Sequence, residues 1–251
     1  MFSRTSPKVD EENPYWMSFS DLMSGLLIIF ILAAVALIIE LTQKTNDIDK
    51  NIQELVRAEQ ARRSIILDIQ DELAKQNIRV EIVESDTVIR IPESTLTFES
   101  AQDKLPDDDM TQQSVRAIGI ALHSAIQTNE RFKYLDTVFI EGHTDSVSIY
   151  YNGKRNWGLS ADRAISIWKV WQKELELSPK LGDFKNGYGK NLFSVSGYAA
   201  TRRVDEVEET PLQRARNRRI DLRFTVKKPS SVDWGKVIND AAVKVTNEET
   251  K

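Results

Sequence analysis

An uncharged apolar run near the start of the chain limits the fold more than any other feature of the sequence. The run covers residues 22–39, about 18 residues, which is enough for a helix to cross the hydrocarbon core of a bilayer. No small-x-small cleavage site follows before the charged stretch that begins at Lys44, so the run does not fit a cleaved signal peptide. We therefore predict a retained transmembrane helix over residues 15–41, preceded by a polar tail, residues 1–14.

Asp21 is a carboxylate placed directly before this apolar run. It lies about one and a half helical turns after Trp16, whose ring would suit the membrane interface. A carboxylate at bilayer depth is costly, and such residues tend to face a protein partner or an ion path. The alternative is a carboxylate that only caps the helix from the headgroup region. Position alone leaves both interpretations open.

The charge and composition of the chain exclude several classes of function. A net charge of −4 gives no reason to expect nucleic-acid binding. The lack of cysteine excludes a disulfide framework and a thiolate metal site, and two histidines are a poor basis for a metal-dependent hydrolase. We predict no metal site and no enzyme activity. The positive-inside bias is weak, because Arg4 and Lys8 precede the span and Lys44 follows it.

Residues 42–77 contain no glycine or proline and are rich in charged side chains, which is typical of a long exposed helix. Apolar residues occupy most of the a and d positions of a heptad frame, while Glu59 and Arg62 interrupt it. The apolar members are Ile48, Ile52, Leu55, Ile66, Ile69 and Leu73. The pattern favours a parallel coiled coil that joins two copies of the chain. An amphipathic helix packed on its own domain is the alternative.

Residues 78–227 alternate between strand and helix patterns, which predicts one α/β sandwich with helices on one face of a mixed sheet. The strand patterns cover residues 80–83, 88–91, 135–141, 192–196 and 220–226, with a turn at 84–86 and a loop at 142–145. The helix patterns cover residues 110–128 and a segment that Ser160 would cap and that would end near Glu176. Residues 228–251 are polar and predict a flexible tail.

Three separated motifs in this part of the chain carry a family resemblance. They are EGHTD at residues 141–145, NWGLSADRA at 156–164, and the pair GY at 197–198 with RARNRRI at 214–220. Together they resemble the OmpA-like peptidoglycan-binding domain over roughly residues 80–226. The ligand of that family is the diaminopimelate of the peptidoglycan stem peptide, which carries an ammonium and a carboxylate at one end.

The resemblance implies roles for particular residues. Asp145 would bind the ammonium and Arg163 the carboxylate, which a guanidinium can hold with a planar two-point fork. Asn156 and Leu159 would shape the loop and the start of the helix, and the helix N-terminus near Ser160 would favour an anion. An internal ion pair with a nearby aspartate is the alternative for Arg163.

The loop between the first two motifs is longer than in many relatives, and its tyrosines have two possible roles. Tyr150 or Tyr151 could stack on a sugar ring or simply cover the core, and we include Tyr151 in the candidate site. Arg218 and Arg219 are interpreted as structural residues that tie the last strand to the sheet. His143 is interpreted as a structural part of its loop.

A single span bearing Asp21, followed by such a domain, resembles the B subunits of bacterial stator motors, the MotB/PomB family, and most of all the ZorB type of the Zorya anti-phage defence system. The resemblance implies two copies inside a pentamer of MotA- or ZorA-like A subunits in the inner membrane. The N-terminus would be cytoplasmic and the domain periplasmic, clamped to peptidoglycan. Asp21 would carry a proton or a sodium ion, without a cofactor. A flagellar stator subunit and a passive cell-wall anchor are the alternatives.

Overall fold

The computed structural model describes the backbone of residues 14–229 and the side chains of residues 19–229. The helices are α1 Pro14–Lys75, α2 Asp109–Gln127, α3 Arg155–Lys173 and α4 Pro211–Asn217. The strands are β1 Glu81–Val83, β2 Val88–Pro92, β3 Leu135–His143, β4 Phe193–Gly197 and β5 Arg219–Val226, and 3-10 segments lie at Thr128–Tyr134 and Leu181–Asp183. The predicted tails, residues 1–14 and 228–251, lie almost entirely outside the described residues.

The first part of α1 belongs to the smaller of two compact units, which divide between Asn51 and Ile52. Its large apolar side chains are exposed, as expected for a helix that meets lipid; Phe30, for example, is 70% exposed. By length and composition, α1 is the one described helix that is long and apolar enough to cross a membrane. The predicted long apolar helix is therefore confirmed.

The last part of α1 packs into the hydrophobic core of the larger unit. The fully buried members are Ile65, Ile66, Ile69 and Leu73. The predicted coiled-coil seam is therefore wrong from Ile66 onward, because an apolar helix face with this spacing buries equally well against the chain's own sheet. The exposed members of the heptad are Ile48, Ile52 and Leu55. For these the coiled coil stays a prediction.

The five strands form one mixed sheet in the order β1-β2-β5-β3-β4. Neighbouring strands are antiparallel except β3 and β4, which are parallel. Alternate residues of β5 show the two faces: Ile220, Leu222 and Phe224 are buried in the core with α2 and α3, whereas the residues between them are charged. This confirms the predicted sandwich of helices and a mixed sheet.

The start of α3 differs from the prediction. The helix begins at Arg155, and the predicted N-cap at Ser160 is wrong, because Ser160 lies fully buried inside the helix. Its hydroxyl donates to the Trp157 carbonyl at 3.0 Å and accepts from the Ala199 amide at 3.0 Å. A small polar residue is needed at this position for close packing against the sheet rather than for capping.

Two glycines let α3 approach the sheet at backbone distance. A Cβ on Gly142 of β3 would come within 1.9 Å of the Ser160 carbonyl oxygen, and one on Gly197 of β4 would come within 2.5 Å of the Ala161 amide. Any other residue would push the helix away. This contact fixes the start of α3 against the end of β3, where the candidate site residues lie.

Candidate ligand-binding site

A cavity of about 400 Å³ lies where the ends of β2, β3 and β5 meet the first turns of α3. It brings together three residues that the sequence predicts, Asp145, Leu159 and Arg163. The other lining residues are Glu93, Phe98, Ser100, Thr144, Val147, Ile149, Arg214 and Arg218. Apolar walls with a few converging charges are typical of a site for a small polar ligand.

The carboxylate of Asp145 is buried and faces a guanidinium. One oxygen accepts from Nη1 of Arg218 at 2.5 Å, and the other accepts from the Val147 amide at 3.2 Å. Arg218 also holds Glu93 with two parallel hydrogen bonds of 2.6 and 2.7 Å. These bonds, led by the one to Glu93, raise the pKa of Arg218 above its usual value. Arg218 therefore links two carboxylates at the cavity wall.

Arg163 has different surroundings. Its Nε donates to the Gln102 carbonyl at 2.9 Å and its Nη2 to the Glu99 carbonyl at 3.0 Å, while the guanidinium lies 4.9 Å from the centre of the Phe98 ring. Among the described residues no carboxylate forms an ion pair with it. Burial lowers its pKa to about 10, so it stays charged at neutral pH. The predicted alternative, an internal ion pair, is therefore not what the structure contains.

Asn156 organises the loop that follows β3. Its Nδ2 donates to the carbonyls of Asp145 and Val147 at 3.1 and 3.0 Å, and its Oδ1 accepts from the Ile149 amide at 3.3 Å. Leu159, one turn further along α3, is 1% exposed and forms part of the cavity wall. Both positions agree with the shaping role that the family resemblance implies.

The two tyrosines of the loop differ in how exposed they are. Tyr151 is buried, and its hydroxyl donates to Asp162 at 3.0 Å, so of its two predicted roles it has that of covering the core. Burial also raises the pKa of this hydroxyl. Tyr150 is 88% exposed and is the tyrosine free to contact a ligand.

Sequence reasoning missed the two charged residues that complete the cavity. No pattern in the sequence points to Glu93, and the sequence favours a structural role for Arg218. The bond between them joins residues 125 positions apart. The doubled arginine is the one signal in the sequence, because Arg218 directly precedes β5 and Arg219 begins it, and the two side chains have different partners.

A second cluster of ionisable groups, Glu141, His143 and Asp221, lies buried on the sheet face opposite the helices. Its spacing would suit a metal ion, but arginines already occupy the carboxylate oxygens. Asp221 accepts from Arg90 and Arg219 at 3.0–3.1 Å, and Glu141 accepts from Arg223 at 2.9 and 3.1 Å. Three guanidinium groups at this distance would repel a cation, so the cluster is a poor metal site.

Comparison with known proteins supports the family resemblance over part of the chain. Residues 97–218 match the model of the OmpA family. The match covers the loop after β3, the start of α3 and the approach to β5, and thus includes Asp145, Asn156, Leu159, Arg163 and Arg218. The OmpA-like character of the sandwich is thereby supported where the cavity lies. No curated protein matches the chain.

The chain is similar to several solved structures. A MotB-like protein from Desulfovibrio vulgaris is 16% identical with a TM-score of 0.49, covering 70% of this chain and 98% of that one. The cell wall anchor of the type VI secretion system from Pseudomonas aeruginosa is 20% identical with a TM-score of 0.46, covering 66% and 99%. The periplasmic domain of Helicobacter pylori MotB is 17% identical with a TM-score of 0.45, covering 68% and 93%.

Proposed function

We propose that the chain is a peptidoglycan-anchored membrane protein of the stator B-subunit kind. One observation carries the proposal: Arg163 is a buried guanidinium without an ionic partner among the described residues, in the same cavity as the carboxylate of Asp145. Burying a guanidinium is costly, and a ligand carboxylate would give it the direct ion pair that no described residue forms with it. A ligand with a carboxylate and an ammonium at one end, as in diaminopimelate, meets both groups.

The geometry of Arg163 supports this role. Backbone carbonyls hold its Nε and Nη2, and its Nη1 donates no hydrogen bond to any described residue. The guanidinium is therefore fixed in place before ligand arrives, and little side-chain entropy is lost on binding. Asp145 keeps free lone pairs beside its bond to Arg218 and can accept from an ammonium. The exposed ring of Tyr150 replaces Tyr151 as the side chain proposed to stack on sugar.

The membrane part of the proposal concerns Asp21. This carboxylate lies in α1 at the start of the exposed apolar stretch, and within that stretch it would be the sole ionisable side chain. We propose that it carries a proton or a sodium ion between the chain and a ring of A subunits. One charge crossing the membrane supplies about 2.3 kcal/mol per 100 mV. Repeated transfers would turn the ring against a B dimer held by the cell wall.

The same proposal covers topology and biological role. The N-terminus would lie in the cytoplasm and the sandwich in the periplasm, where peptidoglycan is found. Two copies would sit within a MotA- or ZorA-like pentamer. The resemblance to the ZorB type supports a role in anti-phage defence, in which envelope damage by phage starts the motor; a flagellar client is the alternative.

The anchor is tested by cosedimentation of the full-length, detergent-solubilised protein with purified sacculi. Arg163→Ala should lower the affinity more than tenfold, because it removes the charged fork from a buried site. Arg163→Lys should give an intermediate loss, since it keeps the charge without the fork. Lys169→Ala, an exposed change on the same helix, is the control. Wild-type affinity in Arg163→Ala would sink the assignment.

The ion carrier is tested by Asp21→Asn, which keeps the size of the side chain and removes its charge. We expect loss of phage protection, or of motility if the client is flagellar, with sacculus binding unchanged. Phage protection or motility at the wild-type level would instead show that Asp21 carries no ion and that the chain is a passive anchor; Asp21 lies inside α1, which begins at Pro14, so it is not the cap of that helix.

A further inference from the structure

The sheet face opposite the helices carries a network of buried charges. Asp221 of β5 pairs in register with Arg90 of β2 on one side and Glu141 of β3 on the other. Two carboxylates directly opposite each other across strands repel, so the fold needs cations beside them. Arg90, Arg219 and Arg223 supply these at 2.9–3.1 Å. These three arginines are thus explained by the structure of the sheet.

A groove of about 560 Å³ above this network contains more positive charge than the network needs. Five arginines line it, namely Arg90, Arg202, Arg203, Arg219 and Arg223, together with Glu84 and Val204. Among the described residues, the carboxylates within ion-pair distance of them are those of Glu84, Glu141 and Asp221. Five guanidinium groups therefore face three carboxylates, which leaves an excess of two positive charges.

The excess is located on Arg202 and Arg203. Arg202 is 3.7 Å from the nearest carboxylate oxygen, of Glu141, and its guanidinium instead stacks 3.8 Å from the centre of the Tyr198 ring. Arg203 is exposed and forms no ion pair within 4.0 Å among the described residues. His143 adds no charge at neutral pH, because burial and then the nearby Arg219 lower its pKa to about 3.

The segment that bears these two arginines is held in place. Nη2 of Arg219 donates to the Arg202 carbonyl at 2.8 Å, and the buried Asn217 accepts from the Val204 and Asp205 amides at 2.6 and 3.1 Å. Of the nearby acidic side chains, Asp205 pairs with Arg216 at 3.4 Å, and Glu208 accepts from the Ser146 amide at 2.7 Å while its charge also interacts with Arg203. The backbone that carries the two arginines is therefore fixed beside the groove, and among the described residues neither guanidinium has an ion pair shorter than 3.7 Å.

We propose that this groove binds a second carboxylate of the peptidoglycan, from a stem peptide next to the one held at Asp145 and Arg163. The inference rests on the proposed anchoring function. Arg218 lines the first cavity and the adjacent Arg219 lines the groove, so the two sites adjoin each other at the start of β5. One polymer bearing repeated carboxylates can reach both. Two weak sites on one polymer would bind more tightly than either alone.

The experiment uses the full-length protein in detergent with the double variant Arg202→Gln/Arg203→Gln. Its control is Lys169→Gln/Lys173→Gln, an equal loss of charge at exposed positions of α3. We expect the first variant to bind purified sacculi about tenfold more weakly and with a smaller dependence on salt concentration. Its affinity for a single soluble diaminopimelate-containing stem peptide should stay within about twofold of wild type. The control should leave both affinities unchanged.

Three results would overturn the groove assignment: unchanged sacculus binding, an equal loss in the lysine control, or charge-dependent binding to phosphatidylglycerol vesicles in place of sacculi. Arg163→Ala separates this inference from the anchoring function. If Arg163→Ala abolishes peptide binding while the arginine double variant has no effect, the anchoring function is supported and the groove assignment is wrong. If it leaves peptide binding intact, the anchor itself is wrong.

Discussion

Arg163 and Arg218 line one cavity, but their partners prepare them for different tasks. Arg218 is neutralised by Glu93 and Asp145, so it orders the wall and fixes the Asp145 carboxylate. Arg163 donates to two carbonyl oxygens and packs against the Phe98 ring, which orient the guanidinium without forming an ion pair with it. The site therefore presents a fixed carboxylate, that of Asp145, and a guanidinium, that of Arg163, which can bind an anion. A zwitterionic ligand can interact with both.

His143 makes the stability of the domain depend on pH. Burial lowers its pKa from 6.5 to about 3, so the folded state holds the ring neutral while the unfolded chain takes up a proton below pH 6.5. His143 therefore does not lower the free energy of unfolding above pH 6.5, and it lowers it progressively as the pH falls from 6.5 towards 3. Between pH 6.5 and 4.5 the loss is roughly 2 kcal/mol, because the slope rises from half of about 1.4 kcal/mol per pH unit at pH 6.5 to nearly all of it at pH 4.5.

His143→Phe tests this effect. The phenyl ring keeps the stack on Tyr198, whose ring centre lies 5.5 Å away, and removes two ring nitrogens that have no hydrogen-bond partner among the described residues. We expect the free energy of unfolding, measured with denaturant at both pH values, to fall less steeply with acid than in wild type. Parallel pH profiles for the two proteins would show that His143 does not titrate as described.

The sequence predicted part of the candidate site because part of it is local. Asp145, Asn156, Leu159 and Arg163 fall in two short motifs, and the structure places the first and the last of them in one cavity. The Glu93–Arg218 pair joins distant positions, and nothing in either local pattern indicates it. Tyr150 is exposed and Tyr151 is buried. The sequence does not predict this difference, because neighbouring residues of an irregular loop have no periodic pattern of burial.

At the scale of elements, α1 shows what a heptad pattern can and cannot specify. An apolar stripe with this spacing fits a second helix or a sheet equally well, and only tertiary context selects between them. The stripe meets the chain's own core from Ile65 to Leu73, whereas at Ile52 it stays exposed. The coiled coil is therefore a proposal only for the first part of the pattern.

A matched pair of substitutions separates the two parts of the stripe. Ile66→Asp buries a charge in the core and should lower the free energy of unfolding of the domain by at least about 3 kcal/mol. Ile52→Asp should change it by less than about 0.5 kcal/mol and should instead weaken self-association. Thermal unfolding and sedimentation of both full-length variants in detergent measure these effects. Equal losses of stability would contradict the division of α1.

Two predictions about the helices near the site are wrong, one about where α3 begins and one about whether α4 exists, and both have a physical cause. Ser160 has the side chain of a good cap, but close packing at Gly142 needs a small residue there, and packing decides its role. The short helix α4 was not predicted, although its signals are present. Thr210 and Gln213 form a reciprocal capping box, with Pro211 at the first turn.

At the scale of the whole molecule, the division into a lipid-suited helix and a mixed sandwich was predictable, because hydropathy and alternating patterns are properties of local sequence. The strand order β1-β2-β5-β3-β4 was not, since the last strand inserts between β2 and β3 through long-range pairing. That insertion brings Arg218 into the cavity wall, with Arg219 beside it at the start of β5. The sheet topology thus adds a cavity residue that the local motifs around Asp145 and Arg163 do not predict.

The most direct measurement is calorimetric titration of the full-length protein with two soluble stem peptides. One contains diaminopimelate, and the other contains lysine at that position, which keeps the ammonium and lacks the neighbouring carboxylate. The charges of Asp145 and Arg163 predict that the diaminopimelate peptide binds at least tenfold more tightly, and that Arg163→Ala removes the difference. Equal affinity for both peptides in the wild-type protein would contradict recognition of the wall by this cavity.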